Sequence, residues 1–123
     1  MHPVATASFL LLAAAFAAVH LLAVAAALYW YHWWFDILMH LWGGVLITFA
    51  VLLVYRHERI RQKPRLSIVV AMLLGAAISW EVFERLIGLY DPAMYWRETS
   101  KDIACGLLGG LIGYALLRDA TMS

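Results

Sequence analysis

Four long apolar stretches are the feature that most constrains what this chain can become. They cover residues 4–29, 35–55, 66–89 and 102–117, and a bilayer-crossing helix needs about 20 mostly apolar residues. The 123 residues are 65% hydrophobic and only 14% charged, which is too apolar for a soluble domain of this size. Because a chain in lipid must satisfy its backbone polar groups internally, we predict an all-α, integral membrane four-helix bundle that forms a single domain over residues 1–123.

The orientation follows from the loop at residues 56–65, which carries five basic residues and one acidic residue. Short basic loops stay on the cytoplasmic side of a membrane, so both termini are expected inside. The first stretch is expected to be a retained span, because it lacks a basic leading region and exceeds the roughly 7–15 apolar residues of a signal peptide.

An internal repeat relates the second and fourth stretches. YWYHWWFDILMHLWGGVLI begins at residue 29 and YWRETSKDIACGLLGGLIG at residue 95, and they share seven identities in 19 positions without gaps. Both copies lie on helices that run in the same direction, so we predict two parallel-repeat hairpins related by an axis along the membrane normal. This symmetry would bring Asp36 and Asp102, which occupy equivalent positions, close together.

A cluster of ionisable residues is predicted near the outer ends of the helices. Asp36 and His40 lie four residues apart, and Glu81 and Glu84 lie three apart, so each pair shares one face of a helix. Charged groups at such depth are costly and usually face the interior of a bundle. With Asp102, these residues can converge in the outer third of the membrane.

The residue types of this cluster suit a divalent metal. Carboxylates and an imidazole without paired thiols favour a hard or borderline cation such as zinc, manganese or iron(II), and helical bundles build metal sites from such spaced pairs. In an enzyme, the metal would activate a water and Glu81 or Glu84 would be the general base. The predicted metal ligands are Asp36, His40, Glu81, Glu84 and Asp102.

Other interpretations of the cluster stay open at this point. The charges could form a structural polar core, with the protein an accessory subunit of a larger membrane complex or a homodimer. Alternatively, the site could bind an envelope lipid whose headgroup meets residues of the outer rim. Haem is disfavoured because His20 has no second histidine at a compatible depth, and the chain has no nucleic-acid-binding patch. The predicted rim ligands are Arg85, Asp91, Trp96 and Arg97.

The motifs resemble those of the small polytopic VanZ-like and YjdF-like membrane proteins. The shared pattern is D-x3-H-x2-GG in the second helix, W-E-x2-E in the third and D-x3-G-x2-GG in the fourth. Asp36, His40, Glu81 and Asp102 match the acidic and histidine positions of the VanZ-like group, whereas Gly106 stands where that group has a later asparagine. The resemblance implies a bacterial inner-membrane protein that faces the cell envelope.

Overall fold

A computed structural model describes residues 3–60, 62–88, 93 and 95–122. Its helices are α1 (Pro3–Ala25), α2 (Leu28–Tyr31), α3 (Trp33–His57), α4 (Leu66–Leu86) and α5 (Tyr95–Met122). The fold is all-α, and its four long helices are each apolar and long enough to cross a membrane.

The largest differences between the helix boundaries and the predicted spans are at two places. The first predicted span is divided because Ala27 adopts a left-handed conformation, with φ 57°, which ends α1 and starts the single turn of α2. The last helix begins at Tyr95 instead of Asp102, so Asp102 lies in its third turn, well inside the helix.

Helices α3 and α5 form the centre of the fold and run in the same direction. At one end His40 lies beside Asp102, and at the other end the Arg56 guanidinium donates to the Thr121 carbonyl. Between them the buried Thr48 hydroxyl donates to the Gly110 carbonyl at 2.9 Å. The two helices are therefore in contact along most of their length.

Glycines allow this close approach of α3 and α5. A Cβ placed on Gly44 would overlap the Gly106 carbonyl and lie 2.8 Å from the Gly110 nitrogen. A Cβ on Gly109 would lie 2.8 Å from the Leu41 Cα. Small residues at helix contacts have this effect in membranes because the backbones can then pack against each other directly.

The other two long helices pack against this central pair and run in the opposite direction. On α4, Val69 and Leu73 are buried against Val51 of α3 and neighbouring side chains of α5. Helix α1 packs on α3 through edge-to-face aromatic pairs, one of which joins Phe16 to Trp42 with ring centroids 5.6 Å apart. Much of the outer surface consists of large hydrophobic side chains, as expected of helices surrounded by lipid.

Candidate metal site

Three of the predicted ligands meet where α3 and α5 are in contact. Asp36 and His40 project from α3 one turn apart, and the His40 Nε2 atom lies 3.2 Å from Asp36 Oδ1. The same nitrogen lies 3.3 Å from Oδ1 of Asp102 on α5. One ligand atom from each of the three side chains lies within 4.8 Å of the other two.

The two aspartates lie at different distances from the N-termini of their helices. Asp36 lies in the first turn of α3, where the partial positive charge of a helix N-terminus favours a carboxylate. Asp102 lies beyond the first two turns of α5, so the helix N-terminus gives it no comparable stabilisation. The Asp102 carboxylate must therefore be stabilised by residues of the facing helices.

The Asp102 carboxylate is the most constrained group of the site. Its side chain is only 10% exposed, and its Oδ1 atom is fully buried without a hydrogen-bond partner among the described residues. Its carboxyl group lies within hydrogen-bonding reach of Asp36 and Glu81, which also present oxygen atoms. Facing carboxylate oxygens require a shared proton or a cation between them, since burial of an unpaired charge is costly.

The geometry of these atoms fits a bound divalent ion. Ligand bonds of about 2.0–2.2 Å in a tetrahedral zinc site place neighbouring ligand atoms roughly 3.3–3.6 Å apart. The two distances from His40 Nε2, 3.2 and 3.3 Å, are close to this spacing. Two carboxylate oxygens and one imidazole nitrogen also form a donor set suited to zinc, manganese or iron(II).

Glu81 and Glu84 of α4 lie beside this three-residue group but are not members of it. Glu81 is 6% exposed, accepts a hydrogen bond from the Thr99 hydroxyl at 3.3 Å, and faces Asp102. Glu84 lies within hydrogen-bonding reach of the Trp80 indole. Glu81 is thus placed to position Asp102, while the predicted ligand and catalytic roles of both glutamates stay predictions.

Lys101 is a component of the site that the sequence pattern did not indicate. Its ammonium lies 3.3 Å from Asp36 Oδ2 and 2.9 Å from the Glu98 carboxylate, one turn earlier on α5. The two oxygens of Asp36 therefore face different partners, Lys101 on one side and His40 on the other. The signal available in the sequence was the Glu98–Lys101 spacing, which is typical of an ion pair within a helix.

The residues predicted to form the rim occupy several environments. Arg85, Trp96 and Arg97 have exposed side chains, whereas Asp91 lies outside the described residues. Thr99, two positions after Arg97, is 9% exposed, and its hydroxyl donates to Glu81. A ligand-binding role for the four predicted rim residues stays a prediction.

A tyrosine–histidine pair lies next to the acidic group. The Tyr29 hydroxyl and His20 Nδ1 are 2.7 Å apart, and their rings meet edge to face. Burial raises the pKa of Tyr29 to about 12, and the negative charges of Asp36 and Glu84 make smaller contributions to this rise. Tyr29 is therefore a neutral phenol near pH 7, which can donate its proton to His20.

Comparison with known proteins identifies the family of this chain. No curated protein and no solved structure matches the chain, and the comparisons give no support for the VanZ-like or YjdF-like resemblance. The match to a protein family extends over residues 3–121, which includes all four long helices. The chain thus belongs to the family described as predicted membrane protein (DUF2238).

Proposed function

We propose that this integral membrane protein binds one divalent cation through Asp36, His40 and Asp102. The observation that carries the proposal is the buried Asp102 oxygen, which lacks a hydrogen-bond partner among the described residues and lies 3.3 Å from His40 Nε2. A cation at this point would be bound by both carboxylates and the imidazole. It would also reduce the repulsion between the two carboxylates while both stay ionised, which a shared proton achieves only by neutralising one of them.

The principal alternative is a structural polar cluster that shares a proton instead of a metal. In such a cluster the Nε2–H of His40 would be shared between the Asp36 and Asp102 oxygens, which lie at 3.2 and 3.3 Å, as a three-centre hydrogen bond. A cation between the three groups would instead contact both carboxylates directly. The predicted envelope-lipid ligand and the accessory-subunit role stay predictions.

We also propose that the site lies toward the outer leaflet. His40 and Arg56 are 16 residues apart on α3, which corresponds to about 24 Å along a helix. The basic loop that follows α3 is expected on the cytoplasmic side, so the acidic group would lie near the opposite surface. This orientation makes both termini cytoplasmic and leaves the site accessible from the cell envelope.

The parallel repeat is part of the same proposal. Equivalent positions face one another across α3 and α5, because Asp36 and Asp102 both approach His40 and Gly44 lies against Gly110. Contacts between equivalent residues are what a two-fold axis along the membrane normal produces. The repeat would have supplied both carboxylates of the site, with His40 unique to the first copy.

Metal binding to the detergent-purified protein tests the proposal. We expect about one zinc, manganese or iron ion per chain, and a loss of affinity of at least tenfold in Asp102→Asn and His40→Ala. Matched controls are Asp119→Asn and His57→Ala, which change the same residue types at the other end of the bundle. Wild-type protein that binds none of these ions, or binds them as tightly after Asp102→Asn, would refute the proposal and leave the proton-sharing cluster.

A further inference from the structure

An apolar groove lies between α3 and α4, at the end of the bundle opposite the acidic group. Its volume is about 290 Å³, nearly twice the roughly 150 Å³ of an engineered apolar cavity that holds one benzene molecule. The wall is almost entirely apolar and is formed mainly by Ile47, Ala50, Val54, Tyr55, Ile68 and Met72. The groove lies between two helices that are long and apolar enough to cross a membrane, so a hydrocarbon chain matches its surroundings.

Basic residues lie within four positions of groove residues where α3 leads into the loop. Arg65 is the N-cap residue of α4 and precedes Ile68 of the groove by one turn. Arg59, in a left-handed conformation, lies in the turn that follows Tyr55 and Arg56. Both Arg59 and Arg65 have exposed side chains, so positive charge is available near the loop end of the groove.

Two other cations of this loop are engaged by the protein itself. Arg56 donates to the Thr121 carbonyl, and Lys63 is paired with Asp119. These contacts fix the end of α5 against the loop. Among the basic residues of the loop that the structure describes, Arg59 and Arg65 are therefore best placed to meet a ligand.

We propose that the groove binds one acyl chain of an anionic phospholipid, whose phosphate is held by Arg59 and Arg65. Basic pockets between membrane helices bind anionic headgroups through this combination of charge and apolar contact. A second copy of the chain is a poorer occupant, because all copies share one orientation in the membrane. Its own basic loop would lie at the same depth and repel this one.

The proposal is independent of the metal site. Tyr55 and Met72, which line the groove, lie 15 residues beyond His40 on α3 and nine residues before Glu81 on α4. Loss of metal binding would therefore leave the lipid interaction intact, and the reverse also holds. The two proposals can fail separately.

Native mass spectrometry and thermal unfolding with defined lipids test the groove. The full-length protein in detergent is titrated with phosphatidylglycerol or with phosphatidylcholine of identical acyl chains. We expect phosphatidylglycerol to bind more tightly and to raise the unfolding temperature. Each basic residue near an anionic surface contributes about fivefold in affinity, so Arg65→Gln should reduce the preference about fivefold, and the double variant with Arg59→Gln about 30-fold.

Two further variants distinguish the groove from general lipid contact. Met72→Trp fills the groove and should abolish the preference, whereas Leu116→Trp enlarges an exposed apolar residue of α5 that does not line it. Arg118→Gln, which removes a cation of α5 that lies over the Tyr114 ring and does not line the groove, should have a smaller effect than Arg65→Gln. If Met72→Trp fails to fold, the arginine variants alone decide the outcome.

Four results would overturn the proposal. The first is equal binding of the two lipids, and the second is equal loss in Arg65→Gln and Arg118→Gln. The third is an equal shift in unfolding temperature with glycerol phosphate, which has no acyl chain. A dimer in the mass spectrum that Met72→Trp dissociates would assign the groove to a second copy instead.

Discussion

Replacement of Gly44 by alanine should separate the two central helices. The new Cβ would lie 2.8 Å from the Gly110 nitrogen and overlap the Gly106 carbonyl. Ordinary contacts between non-bonded heavy atoms are about 3.5 Å or longer, so α3 and α5 must move apart by at least about 0.7 Å. Both partners are backbone atoms of a helix, and no flexible side chain can absorb the overlap.

This displacement has a calculable effect on the neighbouring polar contacts. A shift of about 0.7 Å takes the Thr48–Gly110 hydrogen bond from 2.9 Å to about 3.6 Å, which is no longer a hydrogen bond. The same shift would take the distance from His40 to Asp102 from 3.3 Å to about 4.0 Å, which is beyond the roughly 3.3–3.6 Å between neighbouring ligand atoms of a tetrahedral zinc site. Overpacking typically costs about 1–3 kcal/mol, so we expect lower thermal stability and weaker metal binding together.

Thermal unfolding followed by circular dichroism measures the first effect, and zinc titration measures the second. Gly106→Ala is the matched control, because no atom of the described residues lies within 4 Å of the position that its Cβ would occupy. It adds the same methyl group to the α5 side of the same contact region and should leave both quantities nearly unchanged. Equal stabilities of the Gly44→Ala and Gly106→Ala proteins would refute the close approach of α3 and α5.

Three smaller changes test other parts of the structure. In a spectroscopic pH titration, one of the six tyrosines should ionise near pH 12. Tyr29→Phe should remove that phase of the titration. The stability that the neutral phenol of Tyr29 contributes is complete below about pH 10 and is lost as the pH approaches 12. Ala27→Gly should raise the unfolding free energy by up to about 1 kcal/mol, because it relieves a left-handed alanine, while Ala26→Gly should lower it. Thr48→Val should cost roughly 0.6 kcal/mol, typical of one hydrogen bond between membrane helices, and a stability equal to wild type would argue against that bond.

Much of the architecture could be predicted because it depends on properties that a sequence displays directly. Long apolar segments predict the helices, and the four-residue spacing of Asp36 and His40 predicts their shared face. The sequence match between residues 29–47 and 95–113 predicts that Asp102 lies close to Asp36, and the depth of Glu81 in its span predicts its burial. Each of these inferences needs only helical periodicity and one comparison of the chain with itself.

The remaining details depend on tertiary contacts that no local pattern indicates. Helix α5 starts at Tyr95 although Arg97, Glu98 and Lys101 make that segment polar, because charge pairs and burial against α4 stabilise its first turns. The contact of Lys101 with Asp36 depends on how α5 is rotated against α3, which periodicity does not determine. The break after α1 occurs at alanine, where neither glycine nor proline marks it.

The distribution of the three proposed ligands over two helices that are distant in sequence has a consequence for assembly. Asp36 and His40 lie on α3, whereas Asp102 follows 62 residues after His40, on α5, which is synthesised later. If the site binds a metal as proposed, a nascent chain that ends at α4 holds two ligands and would retain an ion only weakly. Tight metal binding would then require that α5 has also inserted, and the ion would link an early-made helix to a late-made one.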